Sequence, residues 1–213
     1  IRTPLNGMLG YLELLDMELA ATLTEKQAGY FLRTQRACRH LVGITNDFLD
    51  MAKGEAGHLK VARHAGAARH VISEAAALVA PQAAARSIEI TLTESTKRIM
   101  YLGDADRVRQ VLVNVLGNAV SFTPTGGSIR VTTDSVDLPP AGSALTGGPW
   151  CAIRVADSGP GIPADKLARV FEPFVQVASG SQAGRKGTGL GLTVSRQLAL
   201  LMGGDLTAEG STG

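Results

Sequence analysis

The sequence predicts an all-α helical hairpin followed by an α/β two-layer sandwich. Three observations carry that expectation: an apolar stripe at helical spacing near the start, a glycine-interrupted break behind it, and a longer stretch in which helical and strand patterns alternate. The composition agrees, since 213 residues with 45% apolar and 19% charged side chains describe an ordinary globular chain of one large or two small domains. Lys+Arg 21 against Asp+Glu 19 leaves a net charge of +2, too even for the phosphate-neutralising surface of a dedicated nucleic-acid binder. Cys38 and Cys151 lie too far apart in sequence to suggest a disulfide framework or a four-ligand zinc site, which fits a reducing compartment. No run approaches the roughly 18 apolar residues of a membrane helix, and IRTPLNG lacks the layout of a leader peptide. The helical pattern is already under way there, so any anchor of the parent protein is expected outside this window.

Leu5, Met8, Leu9, Leu12, Leu15 and Leu19 form one stripe of a first helix. Thr24, followed by Glu25 and Gln27, is the expected N-cap of a second helix, whose apolar positions include Ala28, Phe31, Cys38, Val42, Leu49 and Ala52. Leu32, Leu41 and Phe48 widen its apolar face beyond what one partner helix covers, which predicts self-association into a four-helix bundle. Arg33, Arg36 and Arg39 read as a solvated face. The glycines at 54, 57 and 66 mark a linker or short edge strand, so the expected boundaries are residues 1–53 for the hairpin, 54–66 for the linker and 67–213 for the sandwich. Within the sandwich the pattern predicts helix Ala68–Ala85, strand Ile88–Thr93, helix Ala105–Phe122, strands Ser128–Val136 and Trp150–Ala156, a short helix near Ala164–Val170, helix Leu190–Met202 and a strand beginning at Asp205. Leu138–Pro149, rich in Gly and Pro, reads as a hairpin loop without assigned function.

Chemistry is concentrated in a few blocks. Asp157-Ser158-Gly159-Pro160-Gly161 follows a strand and offers a fixed carboxylate beside backbone bare enough for a planar base to approach, although such a segment on its own is more often only a turn. Gly187-Thr188-Gly189-Leu190-Gly191 opens a helix, whose unpaired N–H groups and positive dipole end suit phosphate oxygens. Its G-x-G-x-G spacing is not the dinucleotide fingerprint. Asn114 and Asn118 lie one turn apart amid apolar neighbours, either bonding one another and nearby backbone or presenting an amide oxygen to a hard cation such as Mg2+. Between the glycine blocks, Phe171 to Phe174 precedes a small-residue segment carrying Arg185 and Lys186, which describes a flap held down by two aromatics and able to close over an anion.

The order N-V-L-G-N-A, D-S-G-P-G-I, F-E-P-F, G-T-G-L-G-L resembles the N box, first glycine box, F box and second glycine box of sensor histidine kinases, and IRTPLNGMLGYLELL resembles their H box without its opening residues. The resemblance covers almost the whole chain. It implies an ATP-binding sandwich of the superfamily that also holds gyrase, chaperone and mismatch-repair ATPases, with the adenine amine bonded to Asp157 and the loop supported by Gly159 and Gly161. It implies Asn118 as the Mg2+ ligand with Asn114 supporting it, phosphates beside Gly187, Gly189 and Gly191, with Thr188 and Leu190 in the same block, and a lid between Phe174 and that block. It further implies a homodimer, autophosphorylation of a histidine, transfer to the aspartate of a response-regulator receiver domain, and a cytoplasmic kinase core.

Three departures stand out. The phosphoacceptor histidine and the acidic residue after it fall by register just upstream of Ile1, while His40, His58, His64 and His70 match no H box. Thr3, one turn from that histidine, matches the position that orients water for dephosphorylation. Ser121 stands where the family commonly has a phosphate-reaching lysine, a role Arg185 or Lys186 would have to supply. The family's sheet also usually continues past Glu209–Gly213. The alternative is a pseudokinase that binds nucleotide and signals by conformation or heterodimerisation; a gyrase-like ATPase is disfavoured because Asp106–Phe122 contains no glutamate to activate water.

Overall fold

A computed structural model describes residues 2–19, 22–55, 61–93, 98–176 and 188–210. The chain divides into two compact units, Ile1–Gly57 and His58–Gly213. Among the described residues no helix is long and apolar enough to cross a membrane.

The first unit is a helical hairpin, α1 (Arg2–Leu19) and α2 (Glu25–Glu55). Thr24 forms the expected N-terminal cap of α2. Its backbone N–H and hydroxyl donate to Gln27 Oε1 at 2.9 and 2.8 Å, and the Gln27 N–H returns to Thr24 Oγ1 at 3.4 Å, a reciprocal arrangement that satisfies orphan groups of the first turn. Helix α2 continues to Glu55, past the Lys53 at which the hairpin was expected to end, because Gly54 interrupts an apolar period without removing a backbone donor.

The second unit opens on β1 (His64–Ala67), then α3 (Ala68–Ala84), β2 (Glu89–Thr93), β3 (Met100–Gly103), α4 (Ala105–Phe122), β4 (Ser128–Val136), β5 (Trp150–Asp157), the single turn α5 (Ala164–Leu167) and α6 (Gly191–Leu201). β4 lies centrally between a parallel β2 and an antiparallel β5, with Glu89 opposite Ser128 and Ile129 opposite Asp157. The parallel β2–β4 step is possible because α4 serves as the crossover. β1 and β3 form a separate antiparallel pair with His64 opposite Gly103. β3 had no sequence signal of its own: its four residues end on a glycine and are too few to establish an alternation.

The core lies where one face of α3 (Val71, Ile72, Ala75, Val79) and of α4 (Leu112, Leu116, Ala119, Val120) meets Ile129 and Val131 of β4. Burial at alternate residues of β4 and at three-four spacing on the helices is the amphipathic pattern expected of two layers. α6 packs on α4 through buried Val194, Leu198 and Ala199.

Two expected elements differ. No strand begins at Asp205, and residues 204–210 run without regular structure. The Asp205 carboxylate is turned inward and occupied by Arg196 Nε, the Ala144 and Leu206 N–H groups and the Ser143 hydroxyl, so local side-chain bonding displaces a ladder start. The expected helix to Val170 shortens to Ala164–Leu167, with turns through 168–171. His70, on α3, forms an exposed pair with Glu74 at 3.1 Å, and His64 is exposed on β1. His58 and the side chain of His40 lie outside the described residues.

Candidate functional site

β5 delivers Asp157 to its C-terminal end, exposed at the edge of the sheet. One oxygen, Oδ1, accepts from the Gly159 N–H at 2.8 Å. Ser158 fastens the same loop to the start of β4: its N–H donates to Ser128 O at 3.0 Å, and its hydroxyl accepts from the Ser128 N–H at 2.9 Å. A Cβ at Gly159 would stand 2.5 Å from Asp157 Oδ1 and 3.2 Å from Phe122 O, while Gly161 holds φ at +70°. The carboxylate is therefore held by a loop that tolerates no side chain beside it, with its outer oxygen open to an incoming donor.

On α4, one turn of helix separates two amides with different employment. Asn114 Nδ2 donates to Ser195 Oγ at 3.2 Å and to Gly191 O at 3.4 Å, tying α4 to the first turns of α6. Asn118 is half-buried, and its amide makes no hydrogen bond to another described residue. The two asparagines thus do not bond one another. A half-buried amide with no partner among the described residues fits an external ligand, and its oxygen is the kind of neutral donor that a hard divalent cation accepts.

The second glycine box is shaped by the F box. Phe174 N–H donates to Gly189 O at 3.0 Å, and a Cβ on Gly189, whose φ is +70°, would stand 2.8 Å from Phe174 Cα. Leu190 is buried beside it, and its N–H donates to Thr188 Oγ1 at 3.1 Å. Gly191 opens α6, whose first N–H groups lack intrahelical partners. Phe174 is 64% exposed with φ +64°, a left-handed conformation unusual for an aromatic residue. The Phe171 ring is covered by Arg196, while the Phe174 ring is exposed, so the two aromatics expected to anchor the flap are not alike in packing. Gly187, Arg185 and Lys186, with the flap of residues 177–187, lie outside the described residues. Thr3 is exposed in the first turn of α1.

Several supporting residues escaped sequence reasoning. Arg86, after α3, donates to the carbonyls of Val120, of Ser121 at 3.1 Å and of Thr123 at 2.7 Å, so a guanidinium caps the negative end of α4 close to the Asp157 loop. Nothing in the local sequence signals a partner this distant. Asp104 caps α4, its side chain accepting from the Asp106 and Arg107 N–H groups at 3.1 and 3.3 Å. Burial tends to raise its pKa, but N–H bonds from Ala62, Arg107 and Asp106 hold it below the usual carboxylate value. Burial pushes the Cys151 thiol up to about 11, which leaves it protonated and a poor nucleophile at neutral pH.

Comparisons with known proteins agree with this geometry. Residues 103–213 match the family described as Histidine kinase-, DNA gyrase B-, and HSP90-like ATPase, and residues 1–57 match the His Kinase A (phospho-acceptor) domain. Over its full length the chain is 32% identical to an uncharacterized sensor-like histidine kinase of Rhizobium meliloti, covering 39% of that protein. It is 30% identical to the histidine protein kinase DivJ of Caulobacter vibrioides, covering 34% of it. The crystal structure of full-length ShkA in complex with AMPPNP matches with a TM-score of 0.72 and 33% identity, over 98% of this chain and 42% of that one. The chain spans well under half the length of these relatives.

Proposed function

The chain belongs to the sensor histidine kinases, and from that premise we propose that it is the ATP-dependent core that phosphorylates a histidine and passes the phosphoryl group to a response-regulator aspartate. In this reading the hairpin expected over residues 1–53, which α2 extends to Glu55, is the dimerisation and phosphoacceptor unit, and the α/β unit, which opens on β1 at His64 within the expected linker 54–66 and contains residues 67–213, is the cytoplasmic ATP-binding domain. The phosphoacceptor position falls just before Ile1 by the register of Arg2-Thr3-Pro4-Leu5, and Thr3 orients water for dephosphorylation, in which water takes the phosphoryl group from the aspartate and releases it as phosphate. The observation that carries the proposal is the division of labour on α4: Asn114 is spent on α6, whereas Asn118, one turn further along, bonds no other described residue.

Asp157 accepts the exocyclic amine of adenine through the oxygen not engaged by Gly159. The purine lies against the bare backbone of Gly159 and Gly161. Thr188, Gly189 and Gly191 surround the phosphates at the start of α6, where N–H groups point at negative charge, and Gly187 is assigned to the phosphates from its place in the same sequence block. Asn118 would hold a divalent ion by its amide oxygen, and magnesium there would supply neutralisation of charge on the triphosphate. The leaving diphosphate is stabilised by backbone donors and by Arg185 and Lys186, which take the place of the lysine missing at Ser121. Catalysis is then chiefly alignment of an imidazole with the terminal phosphorus, since phosphoryl transfer asks little covalent chemistry of the protein.

The test is transfer of labelled γ-phosphate to protein extended upstream to include the phosphoacceptor position. Acid-labile, base-stable label that falls by about a hundredfold or more in Asn118→Ala supports the proposal. Undiminished label in that variant, or no label in the parent, overturns it.

A further inference from the structure

Asp205 and Arg196 form a bonded chain that ends at the second glycine box. The Asp205 side chain is 2% exposed and that of Arg196 32%, with Arg196 Nε donating to Asp205 Oδ1 at 3.1 Å. Asp205 Oδ1 also accepts from the Leu206 N–H at 2.7 Å, and Oδ2 accepts from the Ala144 N–H at 2.8 Å and the Ser143 hydroxyl at 3.2 Å. With four donors in place, the carboxylate is a fixed anchor, and it joins the β4–β5 loop to α6. The guanidinium held by that anchor lies 4.9 Å from the centre of the Phe171 ring. Three residues on, the Phe174 N–H donates to Gly189 O, and the Gly189 backbone packs so closely on Phe174 that no Cβ would fit between them.

We propose that Arg196 is a positioning residue for the phosphate end of the nucleotide site: by clamping Phe171 it fixes the F-box backbone against which Gly189 is shaped, while the adenine end at Asp157 is fastened to β4, which the clamp does not touch. This rests on the nucleotide reading above and adds to it a residue that touches no substrate. Both ends rest on α4, at Asn114 and at Phe122, but the Arg196 clamp reaches one of them alone. Asp157 and Ser158 are secured to β4, with Gly159 beside the Phe122 carbonyl at the end of α4, whereas Gly189 is secured to the F box and, through Arg196 and Asp205, to the loop at Ser143 and Ala144. A planar guanidinium both stacks on a ring and bonds a carboxylate, whereas lysine offers a point charge alone, so lysine restores the clamp only in part.

Calorimetry on the full chain with magnesium, using ADP and adenosine as separate ligands, tests the assignment. Arg196→Gln is expected to weaken ADP about five- to tenfold while changing adenosine less than about twofold. Phe171→Leu, which removes the ring and leaves the Arg196–Asp205 pair, is expected to reproduce that split, and Arg196→Lys to recover only part of it. Equal weakening of both ligands would assign Arg196 a merely structural role and overturn the proposal, as would unchanged ADP affinity. A parent protein that binds neither ligand overturns the nucleotide reading instead.

Discussion

Along α1, Met17 is 84% exposed and Tyr11 73%, whereas Leu116 and Ile129 of the α/β unit are shielded completely. Among the described residues of the hairpin, Gln35 alone is buried, and Leu14, Leu32 and Phe48 also stand open to solvent. The α/β unit closes a core between two layers of its own chain; two helices offer each other one stripe and leave the rest uncovered. The contrast teaches that the two units draw stability from different sources: one from internal packing, the other from whatever covers its apolar face, which in the proposed reading is a second hairpin.

The sharpest way to break this contrast is in the core. Leu116→Ala is expected to cost the α/β unit about 3–5 kcal/mol, independent of protein concentration, as read from urea unfolding followed at Trp150 on β5. A loss below about 1 kcal/mol would mean that the layers are looser than Leu116's full burial implies. In the hairpin, the double substitution Leu14→Lys with Met17→Lys should shift sedimentation from dimer towards monomer, with association at least about tenfold weaker and the urea transition of the α/β unit unchanged. An unaltered sedimentation profile would show that these exposed residues cover nothing.

The smallest effect sharpens the contrast within the α/β unit. Burial alone would raise the Asp205 pKa, but the N–H groups of Ala144 and Leu206 and the Arg196 guanidinium hold it below the ordinary aspartate value of 3.8. A carboxylate whose folded pKa is lowered contributes stability that is fully present above that ordinary value and is lost as pH falls through the lower, folded one. Thermal unfolding followed from neutral pH downward should therefore fall less steeply at its acid end in Asp205→Asn, from a lower starting point. An acid limb as steep as the parent's would remove Asp205 from the groups that set it.

Much of the fold was legible in the sequence. α4 begins and ends where its pattern does, at Ala105 and Phe122, because an Asp104 cap, a strong amphipathic period and the Pro124 beyond its end act over a few residues. β4 matches its expected span, since alternation over nine residues is a local signal too. β3 was not legible, and Asp205 was misread as a strand start: its bonds reach 62 residues back to Ser143, a separation over which no periodicity operates. In the candidate site the residue types at Asp157, Gly159, Asn114 and Asn118 were readable in order, but nothing local distinguishes an asparagine bonded across to α6 from one left free.

Sequence alone determined the kinds of groups available and the elements that carry them: a carboxylate closing a strand, glycines opening a helix, two amides on one helical face. Those follow from periodicity, capping and backbone freedom, each acting within about a helical turn or two. Tertiary structure decided which of those groups is already spent and which remains for a ligand. It assigned Arg86 to the end of α4, Arg196 to Phe171 and Asp205 to the β4–β5 loop. The physical reason is range: a hydrogen bond or a stacked ring requires its partners within a few ångströms in space, and only the packed chain brings residues distant in sequence that close.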